Sequence, residues 1–74
     1  MLITPKGEVV SEYRNDDKNL YVAIDRHTTH EGVVVWENTY FSNQSEIGVE
    51  LYYNEQHAEN AAEDFVLPKQ VSII

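Results

Sequence analysis

Along this 74-residue chain, apolar and polar positions alternate in four stretches parted by turn-forming clusters, and a helical period follows them. "GEVVSEYR" (7–14) mixes β-branched and aromatic residues and predicts a first strand. "NDDKN" (15–19) is a turn cluster of the kind that closes a hairpin. "LYVAIDRH" (20–27) sets Leu20, Val22 and Ile24 on one face and Tyr21, Ala23 and Asp25 on the other. "TTHEG" (28–32) reads as a loop in which Gly32 can take positive φ. "VVVWENTYF" (33–41) carries apolar residues on both faces, with Val33, Val35 and Phe41 opposed to Val34, Trp36 and Tyr40, and predicts a central strand. "SNQS" (42–45) is a further turn. "EIGVELYY" (46–53) alternates cleanly, which predicts Ile47, Val49, Leu51 and Tyr53 inward and Glu46, Gly48, Glu50 and Tyr52 outward.

The period then changes. In "YYNEQHAENAAEDFV" (52–66), Asn54 is a good N-cap for a helix starting at Glu55, and acids in the first turn suit the helix dipole. At 100° per residue, Ala58, Ala61, Ala62 and Phe65 share one side, a small-residue face that can lie close on a sheet. Pro68 ends the helix. "QVSII" (70–74) reads as a last strand or an apolar strap. A single long helix from a Ser45 cap through Phe65 is the rival reading; Gly48, Val49 and the alternation argue against it. The predicted fold is α+β: a small antiparallel sheet of four to five strands with one short helix packed on it, in a single domain over 1–74.

Size sharpens this picture. A chain this short buries only about 60% of the surface its unfolded form exposes. Such a core supplies about 3–5 kcal/mol of net stability. The eight aromatics are the main core material, and with no cysteine there is no disulfide to add to them. Self-association, including a homodimer, would be a natural supplement. The opening "MLITPKGEVV" has no apolar run long enough for a signal peptide or a membrane span, so a cytoplasmic protein is expected.

Charge changes the picture more. The net charge is −8, and its placement is lopsided. Residues 1–26 hold five acids and four bases, whereas 27–68 hold eight acids (Glu31, Glu37, Glu46, Glu50, Glu55, Glu59, Glu63, Asp64) and no Lys or Arg. Such a field repels nucleic acid and anionic membranes and attracts basic protein surfaces, so neither direct nucleic-acid binding nor membrane binding is expected.

Candidate chemistry is sparse. His27 and His30 stand three apart beside Asp25 and Glu31, a donor set that suits a divalent metal. In a hairpin loop, however, the two imidazoles have no fixed relation, and His57 is remote in sequence; no metal site is assigned. Ser11, Ser42, Ser45 and Ser72 lack a glycine-flanked elbow, and three scattered glycines make no phosphate loop. No catalytic residue and no cofactor is assigned, and an enzyme is not expected.

The helix offers the sharper reading. Glu55, Glu59 and Glu63 lie about 6 Å apart along its axis, and each like-charge neighbour pair costs about 0.2–0.5 kcal/mol. An acidic surface that serves solubility explains the row simply. Alternatively, the carboxylates imitate a row of phosphates and dock on an Arg/Lys groove. Glu46 and Glu50 extend that surface, Asp64 flanks it and Tyr52 adds an aromatic anchor. The expected function is an inhibitor that occludes a basic, nucleic-acid-binding surface of a host protein. In size and charge alone, the chain is similar to inhibitors that phages and mobile elements use against restriction or CRISPR systems. The alternative is an assembly module that self-associates through its sheet edge or its apolar C-terminal strand.

Overall fold

The structure, a computed structural model, describes residues 8–67. Strands β1 (Glu8–Asn15), β2 (Leu20–Thr28), β3 (Val34–Ser42) and β4 (Ser45–Tyr52) form one antiparallel meander in the order β1-β2-β3-β4. Helix α1 (Glu55–Val66) packs on one face, lying most closely over β2. This is the expected α+β architecture. The anticipated strand or strap over 70–74 lies outside the described residues.

Turn chemistry sets the meander. Asn15 Oδ1 accepts from Lys18 N at 3.1 Å, and Asn19 closes the first turn at φ 59°. Asn43 and Gln44 both take positive φ, 52° and 71°, as the two-residue turns of tight hairpins require. The two turns meet at one end of the sheet, where Asn43 N donates to Asn19 O at 2.9 Å. At the other end, Gly32 adopts φ 86° in the β2–β3 loop.

The register fixes which residues meet the helix. Tyr13, Val22, Tyr40 and Gly48 form one row across the sheet, and Ser11, Ile24, Asn38 and Glu50 form the next. Val22, Ile24 and Tyr40 are buried with Ala58, Ala62 and Val66 of α1. Two alanines one turn apart let the helix sit close, as expected; Ala61 and Phe65 are only half-buried, and Val66 completes the contact line. Asn38 is wholly buried beneath the helix and donates from Nδ2 to Ala58 O at 2.9 Å and to Tyr40 Oη at 3.1 Å. Because only the amide NH2 can donate to the Ala58 carbonyl, these bonds also orient the side chain.

Helix ends follow the sequence. Asn54 Oδ1 accepts from His57 N at 3.1 Å, a cap worth about 1 kcal/mol. No base stands in the last turn, where Glu63 and Asp64 oppose the dipole. The Val66 carbonyl is instead taken by Asn15 Nδ2 at 2.7 Å.

β4 corrects one expectation. Its facing is inverted: Gly48, Glu50 and Tyr52 lie on the helix-bearing face, while Ile47, Val49 and Leu51 are 58%, 45% and 60% exposed. Tyr53 lies just beyond the strand and is exposed. The two-residue turn pairs Ser42 with Ser45, and β3 has already committed its Trp36, Asn38 and Tyr40 face to the helix. Continued from that pair, the register would set Ile47 opposite Tyr40 and Val49 opposite Asn38, as expected; the bulge at Ile47 shifts it by one residue and puts Gly48 and Glu50 there instead.

Candidate partner-binding surface

The seven candidate residues fall in three places. Glu55, Glu59 and Glu63 run along one flank of α1, around a shallow depression that Tyr13 of β1 also lines. Glu50, Tyr52 and Asp64 belong to the opposite flank, where α1 meets β4. Glu46 pairs with Phe41 across a bulge at Ile47, at the hairpin end of β4 and on the face away from the helix.

On the β1 flank, the expected row of free carboxylates is broken at its centre. Glu59 Oε2 accepts from Ser11 Oγ at 2.6 Å, and Glu59 Oε1 accepts from Tyr13 Oη. Both oxygens are therefore occupied by the sheet, and Glu59 is half-buried where Glu55 and Glu63 are exposed. The bond to Glu59, then burial and the nearby charges of Glu59 and Glu63, push the Tyr13 hydroxyl up to about 12.

The β4 flank is built on a second clamped glutamate. Tyr40 Oη donates to Glu50 Oε1 at 2.7 Å and Tyr52 Oη donates to the same oxygen at 2.6 Å. Those two bonds, that from Tyr52 first, hold the Glu50 carboxyl below its usual range. Burial foremost, then the bond to Glu50, pushes Tyr40 up; the Glu50 bond does most to raise Tyr52. Glu50 Oε2 takes no hydrogen bond among the described residues. Beside it runs an open groove with Tyr40, Gly48, Ala61 and Phe65 as apolar lining and Glu50 and Asp64 as carboxylates.

The bases sit elsewhere. Arg26 pairs with Glu8 at 3.2 Å, and Arg14 lies 5.6 Å from the Tyr21 ring centroid. Both belong to the β1–β2 hairpin, so the helix and β4 carry acids with no Lys or Arg beside them in sequence from 27 to 67.

His27 Nε2 lies 2.7 Å from Glu37 Oε1 on the face that α1 does not cover, where Asp25 is buried and pairs directly across from Glu37. His30 and Glu31 are exposed in the β2–β3 loop, and His57 is on α1. Among the described residues, no three His, Asp or Glu side chains converge to hold a metal ion. Nor is any helix among them long and apolar enough to cross a membrane.

Sequence reasoning singled out the glutamates but missed their partners, Ser11, Tyr13 and Tyr40. Turn length carried no signal of them: a two-residue turn after Ser42 alone would bring position 49 beside 38 and 51 beside 36, and the extra residue at the Ile47 bulge moves 50 beside 38 and 52 beside 36. Comparison with protein-family models, with curated proteins and with solved structures returns no match for this chain.

Proposed function

We propose that the protein is a cytoplasmic binding protein, not an enzyme, that occludes a basic, nucleic-acid-binding surface of a partner protein. It would then work as the inhibitors that phages and mobile elements turn against restriction or CRISPR systems do. The observation that carries this reading is the segregation of charge: Glu50, Glu55, Glu63 and Asp64 are exposed on α1 and its junction with β4, and residues 27–67 contain no Lys or Arg. Opposite fields speed the encounter of such a surface with a basic partner, and salt weakens it.

The test spares the two clamped glutamates. A variant carrying Glu55→Lys, Glu63→Lys and Asp64→Lys keeps Glu59 and Glu50 bound to their hydroxyls, and circular dichroism checks its fold. In a bacterial lysate, wild type is expected to retain a basic nucleic-acid-binding protein that the variant does not, with release at high salt. The retained protein should lose nucleic-acid binding in proportion to the inhibitor added. Equal recovery by both baits assigns the acids to solubility.

A second reading has its own observation. Val49 and Leu51, exposed on the uncovered face beside the bulged Ile47, favour an assembly module that buries this row against another copy. Sedimentation of the free protein separates the two: a concentration-dependent dimer lost on Leu51→Glu supports assembly.

A further inference from the structure

The groove between α1 and β4 ends at a sheet edge. β4 pairs with β3 alone, so the outward backbone groups of Ser45–Tyr52 have no strand partner among the described residues. Along this edge the two faces differ. Gly48 and Glu50 face the helix side, where Asp64 supplies a second carboxylate. Val49 and Leu51 face the other way and are exposed. A strand laid on the edge would therefore meet carboxylate and apolar surroundings at alternate positions.

We propose that this edge accepts an extended segment of a partner protein as an added strand, with Lys or Arg at alternate positions toward Glu50 and Asp64 and apolar residues between them beside Val49 and Leu51. The proposal rests on reading the acidic surface as a partner-binding surface, and it names the segment that surface takes. Backbone hydrogen bonds supply affinity in strand addition, and side chains at alternate positions supply selectivity. Gly48 presents no Cβ, which leaves room for the aliphatic stem of a long cation to cross toward Phe65 and Asp64. Glu50 is held in place through Oε1, so its other oxygen meets the cation without first being ordered.

Charge complementarity selects this occupant over a second copy. An antiparallel β4–β4 pairing brings two Glu50 side chains toward each other, and residues 27–67 offer no Lys or Arg to separate them. The bulge at Ile47 and the helix-side charge of Glu50 are devices by which sheet edges resist pairing with their own kind. A cationic strand removes the second obstacle.

The probe is an end-capped heptapeptide alternating Lys and Val, followed through the amide resonances of the protein. Controls are a block-order peptide of the same composition and an alternating Glu-Val peptide. The alternating cationic peptide is expected to shift and protect the amides of Ile47–Tyr52. Asp64→Lys should weaken it by about fivefold, whereas Glu55→Lys with Glu63→Lys should change it by about twofold or less. Equal binding of the block-order peptide, or shifts confined to 55–63, overturns strand addition and leaves the acidic surface as a binding surface. A free protein whose β4 resonances move on dilution, with no response to the peptide, overturns it in favour of a second copy. If no cationic peptide binds and the lysate yields no charge-dependent partner, both readings fall.

Discussion

Two glutamates, Glu59 and Glu50, are each clamped by two hydroxyls, and they end in opposite conditions. Glu59 spends one oxygen on Ser11 and the other on Tyr13, so helix and β1 are tied and little accepting capacity remains. Glu50 receives Tyr40 and Tyr52 on a single oxygen, at the side of an open groove and of a strand edge that has no further strand partner among the described residues. The same side-chain chemistry thus builds a structural tie on one flank of α1 and a positioned, half-used acceptor on the other. An acidic residue in a conspicuous row is not thereby a binding residue. What its oxygens already touch decides that.

The largest expected effect comes from breaking the tie. Glu59→Ala strands two part-buried hydroxyls and should destabilise the protein by about 1–3 kcal/mol, read by urea unfolding. Glu50→Ala should cost less, because Tyr40 lines the open groove and keeps the bond from Asn38, and Tyr52 is only half-buried.

Alkaline pH probes the β1 side next. Folding raises the Tyr13 pKa from 10.0 to about 12, so the stability held by its neutral form is whole below pH 10 and is lost as pH rises through 12. Tyr13→Phe should shrink the fall in the urea midpoint across that window. Tyr40 and Tyr52, also raised, should maintain the rest of it.

Acid probes the β4 side, with a smaller effect because Glu50 is exposed. Its pKa is lowered on folding from 4.5, so its contribution is present above that value and is lost as pH falls through the lower folded value. Glu50→Gln should flatten the stability profile below pH 4.5 and also shrink the part of the alkaline fall that Tyr52 and Tyr40 owe to Glu50. The smallest effect concerns the flanks of the row. Glu63→Lys replaces a like-charge neighbour of Glu59 with an opposite one near the helix C-terminus and should raise stability by about 0.2–0.5 kcal/mol, seen as a slight rise in Tm, whereas Glu55→Lys gives up the acid that suits the helix N-terminus and should show no such rise.

The elements themselves were legible. Asn54 as N-cap, Gly32 at positive φ, the turns at 15–19 and 42–45 and the central place of β3 all follow from local chemistry that tertiary contacts do not override. The face of β4 was not. Its alternation is clean on both readings, and the choice between them belongs to the bulge at Ile47, which turns over by one residue the register that the Asn43–Gln44 turn begins. Asn38 escaped notice for a related reason: a polar residue amid a strand reads as exposed until a helix carbonyl is found above it. The division of the acids follows from the same register, since it places Ser11 and Tyr13 under Glu59 and Tyr40 beside Glu50. Local pattern specified the strands, and long-range pairing specified which carboxylates are free.

The contrast between the two clamped glutamates is tested most directly by thermal unfolding of Glu59→Gln beside Glu50→Gln at neutral pH. A loss of 1 kcal/mol moves Tm by about 4–8 °C in a domain of this size. Glu59→Gln is expected to fall by at least that much, with Glu50→Gln close to wild type. Equal losses, or a larger loss from Glu50→Gln, would contradict the division of this surface into a closed structural flank and an open one.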